Sequence, residues 1–314
     1  MIFRTLFGSP KCKEPIVTFS EDFIQIDAID FWGFYTKSES KEWAICWKDS
    51  DSETRTGGYR ESGHGRYVLY NCAENKVVLE GVVERPNALH VANTGHFSVE
   101  DWLFGSGLKG VFYVFSPEGN AIIKKRLKSN IYNSGLSSNG KLAVCQTANN
   151  PKSEDGNTLS AFDVEKGMEL FSIHPATSWA ESYEFSEDNQ YVIVVMQGIG
   201  KFRYDRQGNF LDADNFLKAR LNCQDYSQIL LAVEDEVARL STDNAQTFWE
   251  AVSRARALGA DKDTSWKAVA LKLQGIISEQ MGNSEEAIKS YQEALKLNPK
   301  IGIKRRLDSL LKAC

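Results

Sequence analysis

The chain has 314 residues, 42% hydrophobic and 25% charged, which is enough apolar material for a sizeable core and enough length for two domains. A formal net charge of −5 lacks the basic field that general nucleic-acid or anionic-membrane binding requires. No run approaches the ~18 consecutive apolar residues of a membrane span.

The basic runs at 124–128 and 304–306 read as solvated faces. At the N-terminus the apolar run is too short for a signal-peptide core, and Lys11, Lys13 and Glu14 follow directly. The expected location is therefore cytoplasmic, without membrane or nucleic-acid contact. Six scattered cysteines form no C-x-x-C pair, and Cys46, Cys72 and Cys145 lie inside strand-like runs where a thiol acts as a small apolar side chain. The four histidines have no metal-ligand spacing, so no metal and no cofactor is expected.

From residue 16 to about 211 the chain consists of short apolar runs broken by turn residues. Examples lie at 42–47, 66–70, 111–115, 141–145 and 191–195. Each is five or six residues long and rich in β-branched and aromatic types, a strand pattern whose continuous apolar character fits burial on both faces. Two classes of turn alternate. One falls at 71–75, 116–119, 163–167 and 205–208, roughly 45, 47 and 42 residues apart; the other falls at 38–40, 93–95, 137–140 and 186–189. Each unit reads as strand, turn, apolar strand, longer loop, strand, turn, strand. Four short antiparallel strands every ~40–45 residues predict a propeller blade, because one such sheet has two apolar faces and buries them only against neighbours. Four units are visible. The strand-like stretches at 16–19 and 23–31 either complete a fifth blade or close the ring, and a barrel or sandwich of equal strand count is the structural alternative.

The stretches LSSNGKLAV (136–144) and FSEDNQYVI (185–193) resemble blades of WD40- or YVTN-type β-propellers. The resemblance covers about 30–212 and implies architecture without implying a ligand. The Trp-Asp and Gly-His dipeptides of WD40 blades are missing, so the resemblance is to a degenerate propeller.

After Asn215 apolar residues recur at spacings of three and four, as in Ile229, Leu230, Val233, Val237 and Leu240. This predicts a multidomain β + α chain: a β-propeller-like domain of four to five antiparallel blades over 1–215, then an α-helical domain over 216–314 with about five helices. Residues 225–258 read as one helix pair. The stretch 268–299 resembles a tetratricopeptide repeat through Leu271, Gly275, Gly282, Ala287, Tyr291, Ala294 and Pro299. Gly275 and Ala287 are small where two helices approach closely, Gly282 suits a left-handed cap, Asn283 with Glu286 forms a capping pattern, and Pro299 stops the second helix. Gln274 and Ser278 depart from the family, which prefers leucine and tyrosine there. A short amphipathic helix through Ile303, Leu307, Leu310 and Leu311 closes the array.

No catalytic constellation emerges. There is no G-x-S-x-G, and the glycine-rich loop at 56–65, with Arg60, Glu61 and His64, lacks the lysine and serine of a phosphate-binding loop. Acidic pairs such as Glu100 with Asp101 are too common to signal acid/base work. The expectation is a non-enzyme that scaffolds a protein or peptide partner. By family position its groove residues are Val269, Lys272, Ile276 and Glu279, which helical spacing puts on one stripe; Ile276 stands where chaperone-binding members carry a polar clamp residue. Two other readings stand beside this one: an immunity-type inhibitor that neutralises a toxin, and a propeller enzyme or small-ligand binder using the central funnel. Oligomeric state is not encoded in any feature of the sequence.

Overall fold

The computed structural model describes residues 16–50, 57, 58, 60–105 and 107–313. Residues 1–15 with Cys12, Cys314, and Thr56 and Tyr59 of the glycine-rich loop lie outside these residues. The chain divides into two compact units, one running to Val195 and including Arg203–Leu211, the other comprising Met196–Phe202 and the chain from Asp212 onward.

The first unit is a set of sheets, each folded as a meander. The first sheet runs β1 (Val17–Phe19), β2 (Phe23–Ile26), β3 (Phe31–Lys37), β4 (Trp43–Lys48), β5 (Gly65–Asn71) and β6 (Lys76–Val83). The second contains β7 (Pro86–Val91), β8 (Phe97–Asp101), β9 (Gly110–Phe115) and β10 (Ala121–Leu127). The third contains β11 (Ile131–Leu136), β12 (Leu142–Thr147), β13 (Leu159–Asp163) and β14 (Met168–Ile173), and the fourth β15 (Ser182–Phe185), β16 (Tyr191–Met196) and β17 (Gly200–Asp205). Neighbouring sheets pack face to face through their leading strands: β7 on β3 and β4, β11 on β7 and β8, β15 on β11. Strands β8, β12 and β13 are buried along their whole length, polar members such as Ser98, Glu100, Gln146 and Ser160 included.

The repeat is written in backbone geometry. In the four turns leading into β4, β8, β12 and β16, a backbone N–H bonds the carbonyl three residues back. These are Lys41 to Ser38, Gly95 to Ala92, Gly140 to Ser137 and Asn189 to Ser186. The donors share a left-handed φ of 63°, 80°, 73° and 57°, which explains glycine and asparagine there. Hydrogen bonds lace these turns in order: Ser40 N–H to Asn93 Oδ1, Asn93 N–H to Ser138 O, and Asn139 Nδ2 to Asn189 Oδ1. Glu39 from the first sheet, Asn139 from the third and Glu187 from the fourth line one depression, so the turns converge on a common rim. This is a β-propeller-like arrangement of four sheets.

The segment 16–34 supplies no fifth sheet. Strands β1 and β2 extend the first sheet on the free side of β3. Their Val17, Phe19, Ile24 and Ile26 pack with Phe31, Ala44, Cys46, Val68 and Tyr70 on one face, so the sheet curls over itself. The opposite face, with Ile45, Tyr67 and Leu69, packs against Leu89, Val91, Phe97 and Val99 of the second sheet.

The second unit contains α1 (Ala213–Asn222), α2 (Tyr226–Glu236), α3 (Thr242–Leu258), α4 (Thr264–Gln280), α5 (Ser284–Leu297) and α6 (Lys304–Ala313), each packed on its successor, with α2 also on α4. Asp225, Asp263 and Asn283 cap α2, α4 and α5 by accepting backbone N–H bonds. Helix α4 serves two cores: Ala270, Leu273 and Ile277 join α2 and α3, while Leu271 and Ile276 join α5 and α6. The pair α4–α5 meets at Gly275, where a β-carbon would overlap the Tyr291 ring, and Ala287 beside it is fully buried. One helix more than expected is present. Helix α1 buries only Phe216 and Leu221, and so short a stripe leaves no clear periodicity.

Candidate interaction surface

Helix α4 is nearly enclosed, which decides what its side chains can do. Asp263 caps it through the N–H groups of Ser265 and Trp266, fixing the phase of the helix. Val269 packs partly buried against the core shared with α2 and α3. Ile276 is 5% exposed in the core shared with α5 and α6. Lys272 Nζ bonds Glu234 Oε1 of α2 at 2.6 Å, and Glu279 Oε2 accepts from Arg306 Nε of α6 at 2.7 Å and from the Tyr291 hydroxyl of α5 at 2.8 Å. The predicted stripe thus faces α2 at one end and α6 at the other. Its two charged members keep partial solvent contact, while its two apolar members serve packing. Leu231, three residues before Glu234 on α2, is 37% exposed.

The two departures from the repeat pattern have partners or burial of their own. Gln274 is buried and its Oε1 accepts from Arg256 Nη1 of α3 at 2.6 Å; Ser278 is buried as a small residue. The polar side chain at 274 exchanges a purely apolar contact for a hydrogen bond to α3.

In the sheet unit the glycine-rich loop is tied down. Arg60 donates to Asp49 Oδ1 and to the Glu84 carbonyl, both at 2.8 Å, and the Gly58 N–H bonds Asp49 Oδ2 at 2.6 Å. Glu100, passed over in the sequence, is 1% exposed between the second and third sheets. Burial pushes its carboxyl above the usual carboxylate range, opposed by Ser134, Asn87 and Trp102. Its neighbour Asp101 instead accepts the backbone N–H groups of Arg85 and Leu103 at 2.8 and 3.1 Å, a structural clamp. On β7, burial lowers His90 to about 4, opposed by the bond its ring donates to the Ser134 backbone carbonyl. Among the described residues no three His, Cys, Asp or Glu side chains group as metal ligands, and no helix is long and apolar enough to cross a membrane. Cys46, Cys72, Cys145 and Cys223 are free thiols, and burial raises the first three.

An aromatic series on the first sheet had no sequence signal beyond Trp32 and Phe34 alternating on one face. Phe23, Trp32, Phe34 and Trp47 stand side by side across β2, β3 and β4, and Trp32 and Phe34 are 60% and 45% exposed.

Residues 268–301 match the family model of the tetratricopeptide repeat, a span that covers α4 from its second turn, all of α5 and the turn after them. No curated protein matches the chain. Among solved structures, a chain from the crystal structure of the mitotic checkpoint complex is similar at 8% identity with a TM-score of 0.37. That match covers 60% of this chain and 56% of the solved one, and a likeness so loose bears on neither role nor partner.

Proposed function

We propose that this chain is a non-catalytic interaction scaffold or adaptor, which holds a protein or peptide partner on the face formed by α2, α4 and α6. Lys272 and Glu279 of the stripe meet the partner, with Val269 and Ile276 packed beneath them, and loops of the propeller-like unit provide a second contact. The observation that carries this reading is the stripe on α4: in a helix otherwise enclosed, Lys272 and Glu279 are held at the surface by cross-helix ion pairs. Such pairs are worth little for stability when part-exposed, about 0–1 kcal/mol, yet they preorganise charge for a ligand. Repeat modules of this kind stack units to create surface, which supports a binding role.

The test is affinity purification with mass spectrometry from the native cell, comparing the natural chain with Lys272→Glu. The substitution sets a carboxylate against Glu234 and reverses the charge at that position. Capture of a specific partner is expected to fall at least tenfold while the far-UV circular dichroism is unchanged. Equal capture by both forms moves the contact to the propeller loops, and capture of no protein by either form refutes the scaffold reading.

A further inference from the structure

We infer that the exposed aromatic ridge of the first sheet is a docking site for an extended peptide segment in which arginine or lysine brackets an apolar residue. The inference is independent of the helical groove.

The ridge is a cross-strand ladder. Phe23 pairs with Phe34, and Phe34 with Trp47, so their side chains share one face. Ring centroids are 4.6 Å apart for Phe23 and Trp32, 4.7 Å for Phe23 and Phe34, and 5.9 Å for Phe34 and Trp47. Farther along this face Ile45, Tyr67 and Leu69 are buried under the second sheet. The ridge is therefore a core face that continues beyond its cover. At the point where cover ends, a face exposed only to water would turn polar; this one keeps a tryptophan and a phenylalanine. It is also held in place, since Trp47 Nε1 donates to the Asn87 carbonyl at 3.0 Å.

Charge selects the occupant. Glu21 and Asp22 precede Phe23 at one end of β2, and Asp27 and Asp30 precede Trp32 at the other; all four are exposed. None of them forms an ion pair among the described residues. Asp27, Asp30 and Gln25 line one shallow pocket with Trp32, and Gln25 Nε2 already donates to Asp27 Oδ1 at 2.7 Å, which orients that carboxylate. Carboxylates thus bracket the Phe23–Trp32 side of the ridge at both ends of β2, while the Trp47 end borders Asp49 and Arg85, and that side complements a basic–apolar–basic segment lying along β2. Its guanidinium groups can pair with carboxylates in a fork and lie over Trp32. A second copy of this chain fits worse, because a two-fold contact through the ridge would set like charges against each other.

The experiment selects a phage-displayed random 12-residue peptide library on the full chain, counter-selected on a Trp32→Ala/Phe34→Ala variant. Both positions are exposed, so the variant keeps its fold. The expected peptides carry two or more arginines or lysines around an apolar residue. Measured by fluorescence anisotropy, their affinity falls at least tenfold in Trp32→Ala/Phe34→Ala, several-fold in Asp27→Asn/Asp30→Asn and on raising salt, and is unchanged in Lys272→Glu. Failure to enrich any ridge-dependent peptide, enrichment of acidic or uncharged ones, or a concentration-dependent dimer abolished by Trp32→Ala would each overturn the inference. Loss of binding in Lys272→Glu would assign the peptides to the helical groove and overturn it as well.

Discussion

Replacing Gly275 with alanine tests the packing of the tetratricopeptide-like pair directly. A methyl group there would overlap Tyr291 Cε1 and Cδ1 and lie 3.1 Å from Cζ. The ring has nowhere to go. Tyr291 is fully buried, and its hydroxyl is held by Glu279 Oε2, which also takes Arg306 Nε. Overpacking a tight core costs about 1–3 kcal/mol, and loosening the Tyr291–Glu279 hydrogen bond adds about 1. The gain in helix propensity from glycine to alanine returns about 1, so the net loss is about 2 kcal/mol. A chain of two units need not unfold in one step, so the suitable assay is local: hydrogen exchange followed on peptides from α4 and α5. A loss of that size speeds exchange about 30-fold in both helices. Pairing the substitution with Tyr291→Leu should give a combined loss smaller than the sum, because the two side chains share one space. Unchanged or slower exchange in Gly275→Ala would refute the argument that the close approach is what requires glycine.

The same contact shows how much was legible in the sequence. Small residues at 275 and 287, the left-handed Gly282 and the stop after Leu297 are local requirements, so local sequence states them. The two turn classes are equally local, and their spacing yielded four sheets because each bend before β4, β8, β12 and β16 needs a left-handed residue at its end. What pairs at a distance was not visible. Lys272 was assigned to a groove with no sign that Glu234, 38 residues earlier, meets it. Ile276 falls on the same stripe by spacing, yet α6 covers it. The stretches of β1 and β2 were strand-like and expected to form a fifth blade or close the ring, whereas they join the first sheet, where Phe31, Val68 and Tyr70 supply an open face that Ile24 and Ile26 fill. Glu100 looked like half of an ordinary acidic pair. Its burial follows from β11 crossing β8, a contact between repeats that no single repeat encodes.

Two further outcomes follow from the seam between the second and third sheets. Burial holds His90 at about 4 in the folded chain against 6.5 unfolded, so the stability it contributes is fully present above about 6.5 and is lost as pH falls toward 4. The loss is at most about 3 kcal/mol because the ring keeps some contact with water, and His90→Asn should flatten that stretch of the stability–pH profile followed on the urea transition of the sheet unit; an unchanged profile would refute the assignment. Glu100 has the opposite sign. Burial raises its folded pKa, so the folded chain holds a proton that the unfolded chain releases, and stability declines as pH climbs from the ordinary glutamate value of 4.5 through the raised one. Glu100→Gln keeps the contact with Asn87 and removes the ionisation, so the variant should equal the natural chain below 4.5 and exceed it near neutrality. The two groups therefore act in overlapping pH windows with slopes that partly cancel, and only the pair of single variants separates them. A Glu100→Gln chain less stable than the natural one at neutral pH would show that the carboxylate is ionised and held by its neighbours, and the seam would then be a network of fixed charge instead of a neutral contact between sheets.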